Sequence, residues 1–154
     1  MLGELERALK AAGDPTRTRI LKLLETGPLC VCQVQAVLGL APSTVSKHLF
    51  VLKAAGLVQD RRDGRWSHYA LAGEETNAAA RSVLAMLRGP LDREPRIAED
   101  RRRLRGVTSI PLETLCALPP KGREPLIAVR AAAPAPTRRR RAPARPDRRG
   151  GRDA

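Results

Sequence analysis

Aromatic residues are almost missing from this chain. Among 154 residues there is one Phe, one Trp and one Tyr, at Phe50, Trp66 and Tyr69. Modules that read single strands by stacking bases need aromatic platforms, so that class is excluded. No run of 18 or more apolar residues exists, so no helix is expected to cross a membrane. The opening Met-Leu-Gly-Glu-Leu-Glu-Arg has no basic region ahead of an apolar stretch and does not read as a signal peptide. Cysteine is scarce and odd in number: Cys30, Cys32 and Cys116 make no disulfide framework. The compartment that fits is a reducing cytoplasm, where thiols act as ligands or redox groups. There is no nucleophile–base pair, phosphate loop or complete metal site, so an enzyme is not expected.

Basic charge, by contrast, is abundant. The formal net charge is +13. Residues 1–106 hold 18 Lys and Arg against 12 Asp and Glu, and residues 107–154 hold 11 against 4. A basic folded part with a more basic tail points to a polyanion, most simply nucleic acid. The stretch Pro42–Gly56 is the centre of that reading. Val45, Leu49 and Leu52 make one apolar helical face, and Thr44, Ser46, Lys47 and Lys53 make a polar side with no carboxylate. Ser43 is placed to cap the start and Gly56 to end the helix. A short helix of this kind suits the major groove.

Apolar spacing predicts helices over residues 2–12, Pro15–Thr26 and Leu29–Leu38, the second capped by Asp14 with Pro15 in its first turn. Arg17, Arg19 and Lys22 are expected mostly outside. Gly39-Leu40-Ala41-Pro42 joins the third helix to the fourth as a helix-turn-helix. The runs 57–62 and 65–71, split by Asp63-Gly64, predict a hairpin with a turn centred on that pair. Its tip crowds Arg61, Arg62 and Arg65, which asks for an anionic partner such as DNA phosphates. A further helix is expected over Glu74–Arg88, broken at Gly89-Pro90 and resumed over Ile97–Arg105. The apolar stripes of the first and last helices exceed what one small core needs, which implies pairing across a two-fold axis. A homodimer would then set two reading helices on a near-palindromic duplex.

The fold class expected is mainly α with a small β-hairpin, a dimeric winged helix-turn-helix over residues 1–105. Residues 106–154, holding eight of the 13 prolines, read as a largely disordered Pro/Arg-rich tail. Disorder is expected from about Ala131, through Arg138–Arg141. Residues 110–118 are the exception, with Ile110, Leu112, Leu115 and Leu118 able to dock.

Several stretches in order resemble the ArsR/SmtB family of winged-helix repressors. They are Asp14-Pro15-Thr16-Arg17, Leu29-Cys30-Val31-Cys32, Ser43-Thr44-Val45-Ser46-Lys47-His48-Leu49, Ala55-Gly56-Leu57-Val58 and Arg61-Arg62-Asp63-Gly64-Arg65-Trp66. The resemblance covers residues 4–88. It implies a homodimeric repressor that leaves its operator when a metal or metalloid binds. It also implies that Leu-Cys-Val-Cys is an arsenic- or antimony-sensing box, with Cys30 and Cys32 as ligands of As(III) or Sb(III). Ser43, Thr44, Ser46, Lys47 and His48 then lie on the DNA-reading helix, and Arg61, Arg62 and Arg65 on the wing. Two departures stand out. The third cysteine of the best-known box would fall at Gln35, which cannot be a thiolate, so a third ligand is either elsewhere, with Cys116 the candidate, or absent, with Cys116 simply packed or exposed. Phe50 replaces a basic or polar residue; it either meets a thymine methyl or packs on a neighbouring helix, as apolar side chains mostly do.

Soft thiolates suit arsenite and antimonite. Two cysteines two apart in a regular helix point in nearly opposite directions. Either Cys30 lies before the helix in extended backbone, or the first turn unwinds when inducer binds. The rivals are a thiol-redox switch at Cys30 and Cys32, and a basic nucleic-acid-coating protein working through its tail. Zinc fits poorly, since only His48 and His68 are available as imidazole ligands.

Overall fold

The computed structural model describes residues 1–132; the expected disorder beyond that point, with Arg138–Arg141, lies outside the described residues. Among the described residues eight helices and three strands follow in the order α1 (Leu2–Ala12), α2 (Pro15–Leu24), β1 (Leu29–Cys30), α3 (Val31–Leu38), α4 (Pro42–Ala54), β2 (Val58–Asp63), β3 (Trp66–Leu71), α5 (Ala78–Leu87), α6 (Pro95–Thr108), α7 (Leu112–Ala117) and α8 (Pro120–Ala132). The three strands form one antiparallel sheet, ordered β1-β3-β2. This is a winged helix-turn-helix: α3 and α4 are the paired helices, and β2–β3 is the wing.

Local chemistry explains the boundaries. Asp14 caps α2, its carboxylate accepting the Arg17 backbone N–H at 2.9 Å. That hydrogen bond holds the Asp14 carboxyl below its ordinary value of 3.8. The cap therefore contributes fully above that value, and its contribution is lost as pH falls through the lowered folded-state pKa. Asp14→Ala is expected to cost about 1 kcal/mol in chemical denaturation at pH 7, with the deficit shrinking on acidification. At α4 the expected Ser43 cap does not form. Pro42 occupies the first turn behind Ala41 in extended backbone, with no side-chain cap. Proline at that position removes one of the orphan donors and fixes φ, so a hydroxyl cap is less needed. Gly39 and Gly56, at φ +68 and +74, end α3 and follow α4.

The wing turn falls one residue later than expected. Asp63 pairs with Trp66, so the two-residue loop is Gly64-Arg65. Only Gly64 has positive φ, +58; Asp63 stays in its strand, and Arg65 stands at the tip. The expected helix from Glu74 begins only at Ala78, where Asn77 caps it by accepting the Ala80 N–H at 2.7 Å.

One core joins all layers. Ile20, Leu23, Val34, Val45, Leu49, Leu52, Leu57 and Val83 are buried together with Leu104, Val107, Leu115 and Ile127. The last four lie on α6, α7 and α8. Pro120–Ala132, counted above in a largely disordered tail, thus form a helix on the core. Its anchors are mainly polar: Arg103 bridges the α3 carbonyls of Ala36 and Val37 to Glu124, and Arg130 donates to the Ser109 carbonyl at 2.8 Å. Gly106 is the socket of the α6–α8 crossing, because a Cβ there would lie 2.6 Å from the Ile127 carbonyl oxygen. Gly106→Val is expected to push α8 off α6. The cost should be about 1–3 kcal/mol, measured by urea unfolding, with loss of amide-exchange protection in residues 120–132.

Lys22, expected outside, is buried. Its ammonium meets Glu25 at 2.7 Å, Asp92 at 3.0 Å and the Leu87 carbonyl at 3.2 Å. Arg19 is mostly buried too, in a two-pronged pair with Asp100 at 2.7 and 2.8 Å. Both cations are inside because α6 and the loop before it bring acids to them from far along the chain.

Candidate thiol site and nucleic-acid interface

Cys30, Cys32 and Cys116 come together. Their sulfurs all lie within 4.8 Å of one another, and none is in a disulfide. Cys30 ends β1, which pairs with Tyr69 and His68 of β3. It is also the N-cap of α3, in extended backbone (φ −84, ψ 163). Gln33 holds it there, its amide oxygen accepting the Cys30 N–H at 3.0 Å. Because Cys30 precedes the helix, the two-residue spacing does not send its sulfur away from that of Cys32. Of the two geometries the sequence allowed, this is the extended one, and no unwinding of α3 is needed for the sulfurs to meet. Helix α7 carries Cys116 to them, anchored by Leu115 in the core.

Three sulfurs on one ion at about 2.3 Å can all lie no more than about 4.0 Å apart, the limit of a flat arrangement. The three present, within 4.8 Å of one another, need draw in only slightly to reach it. Burial pushes the Cys30 thiol up, against backbone N–H groups of Gln33 and Cys32 that favour its thiolate. Burial, followed by the neighbouring sulfurs of Cys32 and Cys30, pushes Cys116 up to about 12. Burial thus holds Cys30 and Cys116 as thiols at neutral pH. Gln35 does not join the cluster. It is buried under Arg123, whose guanidinium donates to its side-chain oxygen at 3.2 Å.

Around α4 the polar side is open. Ser43, Ser46 and Lys47 are exposed and Thr44 is half-buried. His48 is turned inward, its Nδ1 4.0 Å from the Asp14 carboxylate, so it faces the cap of α2 more than solvent. Arg61, Arg62 and Arg65 are exposed on the wing. Arg65 lies 5.5 Å above the Trp66 ring and 3.3 Å from Glu113 of α7. Phe50 does not pack on a neighbouring helix. It is 72% exposed, because the inward face of α4 is already filled by Val45, Leu49 and Leu52. Arg103, Arg123 and Glu124, which lock α8 to α3, were not singled out in the sequence; arginines in a run of charge carry no signal of their distant partners.

A helix-turn-helix with a basic wing is the form of a DNA-binding regulator, and here a thiol cluster is built on its first helix. The comparisons agree. Residues 14–60 match the family described as bacterial regulatory protein, arsR family. An uncharacterized HTH-type transcriptional regulator of Methanocaldococcus jannaschii is 43% identical over 75 residues, 48% of this chain and 84% of that protein. The arsenic resistance transcriptional regulator ArsR1 of Pseudomonas putida is 39% identical over 84 residues, 54% of this chain and 62% of that protein. The arsenical resistance operon repressor of Escherichia coli is 42% identical over 64 residues, 41% of this chain and 55% of that protein. The chain belongs to the arsR family: it is a DNA-binding transcriptional repressor, not an enzyme. No helix among the described residues is long and apolar enough to cross a membrane.

Proposed function

We propose that this repressor leaves its operator when trivalent arsenic or antimony is captured by Cys30, Cys32 and Cys116. The observation that carries the reading is the convergence of these three sulfurs, from β1, α3 and α7, within 4.8 Å. The chemistry fits protonated thiols. Arsenous acid and three thiols give one arsenic trithiolate and three waters; three As–S bonds replace three As–O bonds, and no proton is released. A divalent ion instead displaces a proton from each thiol. Arsenite affinity is therefore expected to be nearly flat between pH 6.5 and 8. Cadmium affinity should rise with pH over the same range, by about tenfold per pH unit for each proton that leaves. Calorimetry at several pH values, with both inducers, checks this. Peroxide without arsenite tests the redox alternative: release reversed by a reductant would favour oxidation of Cys30 and Cys32.

The protein acts as a homodimer on a near-palindromic duplex. Leu2, Leu5 and Leu9 of α1 and Met86 of α5 are exposed on adjoining helices, a surface a second copy would cover. In each protomer α4 lies in the major groove, with Ser43, Thr44, Ser46 and Lys47 towards the bases, while Arg61, Arg62 and Arg65 hold phosphates. The signal passes through a short path. Capture of the ion draws α7 against the start of α3, and α3 connects to α4 through the tight link 39–41, so the spacing of the two reading helices changes. Binding differs between the two states, and affinity falls. Arg61→Ala with Arg62→Ala is expected to weaken all duplexes alike and to lower the steepness of the salt dependence by about two phosphate contacts per protomer. Anisotropy titrations across a salt series read this directly.

A further inference from the structure

Phe50 is the larger and more exposed of the two large apolar side chains, with Val51, that the fold leaves in water on the helix placed to read DNA. It stands about 100° round the helix from Leu49, away from the buried face. Ser43 and Lys47, seven and three residues before it, share its outward strip, and both are exposed. A long side chain on a helix leans towards the N-terminus, which carries the ring back towards Lys47. Arg7, Lys10 and Arg17 rim a shallow groove of about 290 Å³ beside it, whose floor is Ala11, Val51, Ala54 and Ala55; Lys10 is paired with Glu6 at 2.7 Å, and Arg17 is fixed by the carbonyls of Ala11 and Lys10. An apolar ring with cations at the rim and no acid on its own strip suits an apolar feature set in a polyanion. A second copy on Leu2, Leu5 and Leu9 would not cover the ring, because Arg7 and Lys10 lie on another face of α1. In the major groove the apolar feature is the 5-methyl group of thymine.

We propose that Phe50 contacts the 5-methyl group of one thymine in each half of the operator and so sets the base preferred there. The proposal rests on α4 being the reading helix. Its test starts from a duplex selected out of a randomised library by the full-length protein. Each thymine is replaced singly by uracil, which removes the methyl and keeps every hydrogen-bonding group. Wild-type affinity should fall about fourfold at one position per half-site, the worth of one buried methyl-sized group. At that position Phe50→Ala should bind thymine and uracil duplexes within twofold of each other. With a C·G pair there, 5-methylcytosine should restore wild-type affinity relative to cytosine. A flat uracil scan, or an unchanged thymine preference in Phe50→Ala, overturns the proposal. So does a shift of Phe50→Ala to monomer in sedimentation that accounts for its weaker binding. Lys47→Ala separates the two levels. If it leaves all duplexes unaffected, α4 is not the reading helix and both readings fall. If it weakens them while the uracil scan stays flat, only the role of Phe50 falls.

Discussion

With Cys30 and Cys32 both changed to serine, the repressor is expected to stay on its operator at arsenite concentrations that strip the wild-type protein. Wild-type operator affinity should drop by at least about tenfold on saturation with arsenite, inside the range usual for coupled sites. The double variant should change by less than twofold. A hydroxyl keeps the size and hydrogen bonding of the thiol but is a poor partner for a soft ion, so DNA binding without inducer should be intact. Cys116→Ser is the more informative single change. Two thiols would remain, and losing one tethered ligand should weaken arsenite binding by at least about tenfold through lost effective concentration. If α7 transmits the signal, this variant binds the remaining arsenite yet releases DNA poorly. Fluorescence anisotropy of a labelled operator with each variant measures all three effects.

The largest loss of stability is expected at Asp100. It is 2% exposed and holds the Arg19 guanidinium through two short bonds between α2 and α6. Asp100→Ala leaves that guanidinium in a mostly buried place without its counter-charge. Breaking one partner of a buried pair costs about 3–5 kcal/mol, which in a domain of this size lowers Tm by more than about 10 °C. Replacing both partners by apolar residues, Arg19→Met with Asp100→Leu, should recover most of the loss, because no charge is then stranded. Thermal and urea unfolding of the single and double variants test it. Full stability of Asp100→Ala would show that the pair contributes nothing.

The sequence disclosed what depends on near neighbours. Val45, Leu49 and Leu52 recur at helical spacing, and they are the buried face of α4. Asp14 before Pro15 marked a cap that forms. The hairpin was legible from glycine beside charge, though the loop falls at Gly64-Arg65, because one glycine at positive φ suffices. What stayed hidden depends on partners far along the chain. Local pattern does not separate the buried Arg19 and Lys22 from the exposed Arg61 and Arg62; beyond the neighbouring Glu25 of Lys22, their acids, Asp100 and Asp92, arrive from α6 and the loop before it. Helix α8 was illegible for a related reason. Its segment has Gly122 and Pro125, its fully buried apolar anchor among the described residues is Ile127, and arginines reaching carbonyls and carboxylates help hold it. Cys116 could be suggested as a third sulfur by elimination. Its meeting with Cys30 and Cys32 required that docking, since α7 follows a helix that only the fold brings back to α3.

One measurement bears most directly on the central claim. The full-length protein on fluorescein-labelled operator is titrated with arsenite while free thiols are counted in the same samples. Three thiols per chain should disappear with one equivalent of arsenite, in step with the fall in anisotropy. Loss of fewer than three thiols, or anisotropy unchanged when three are lost, would contradict it.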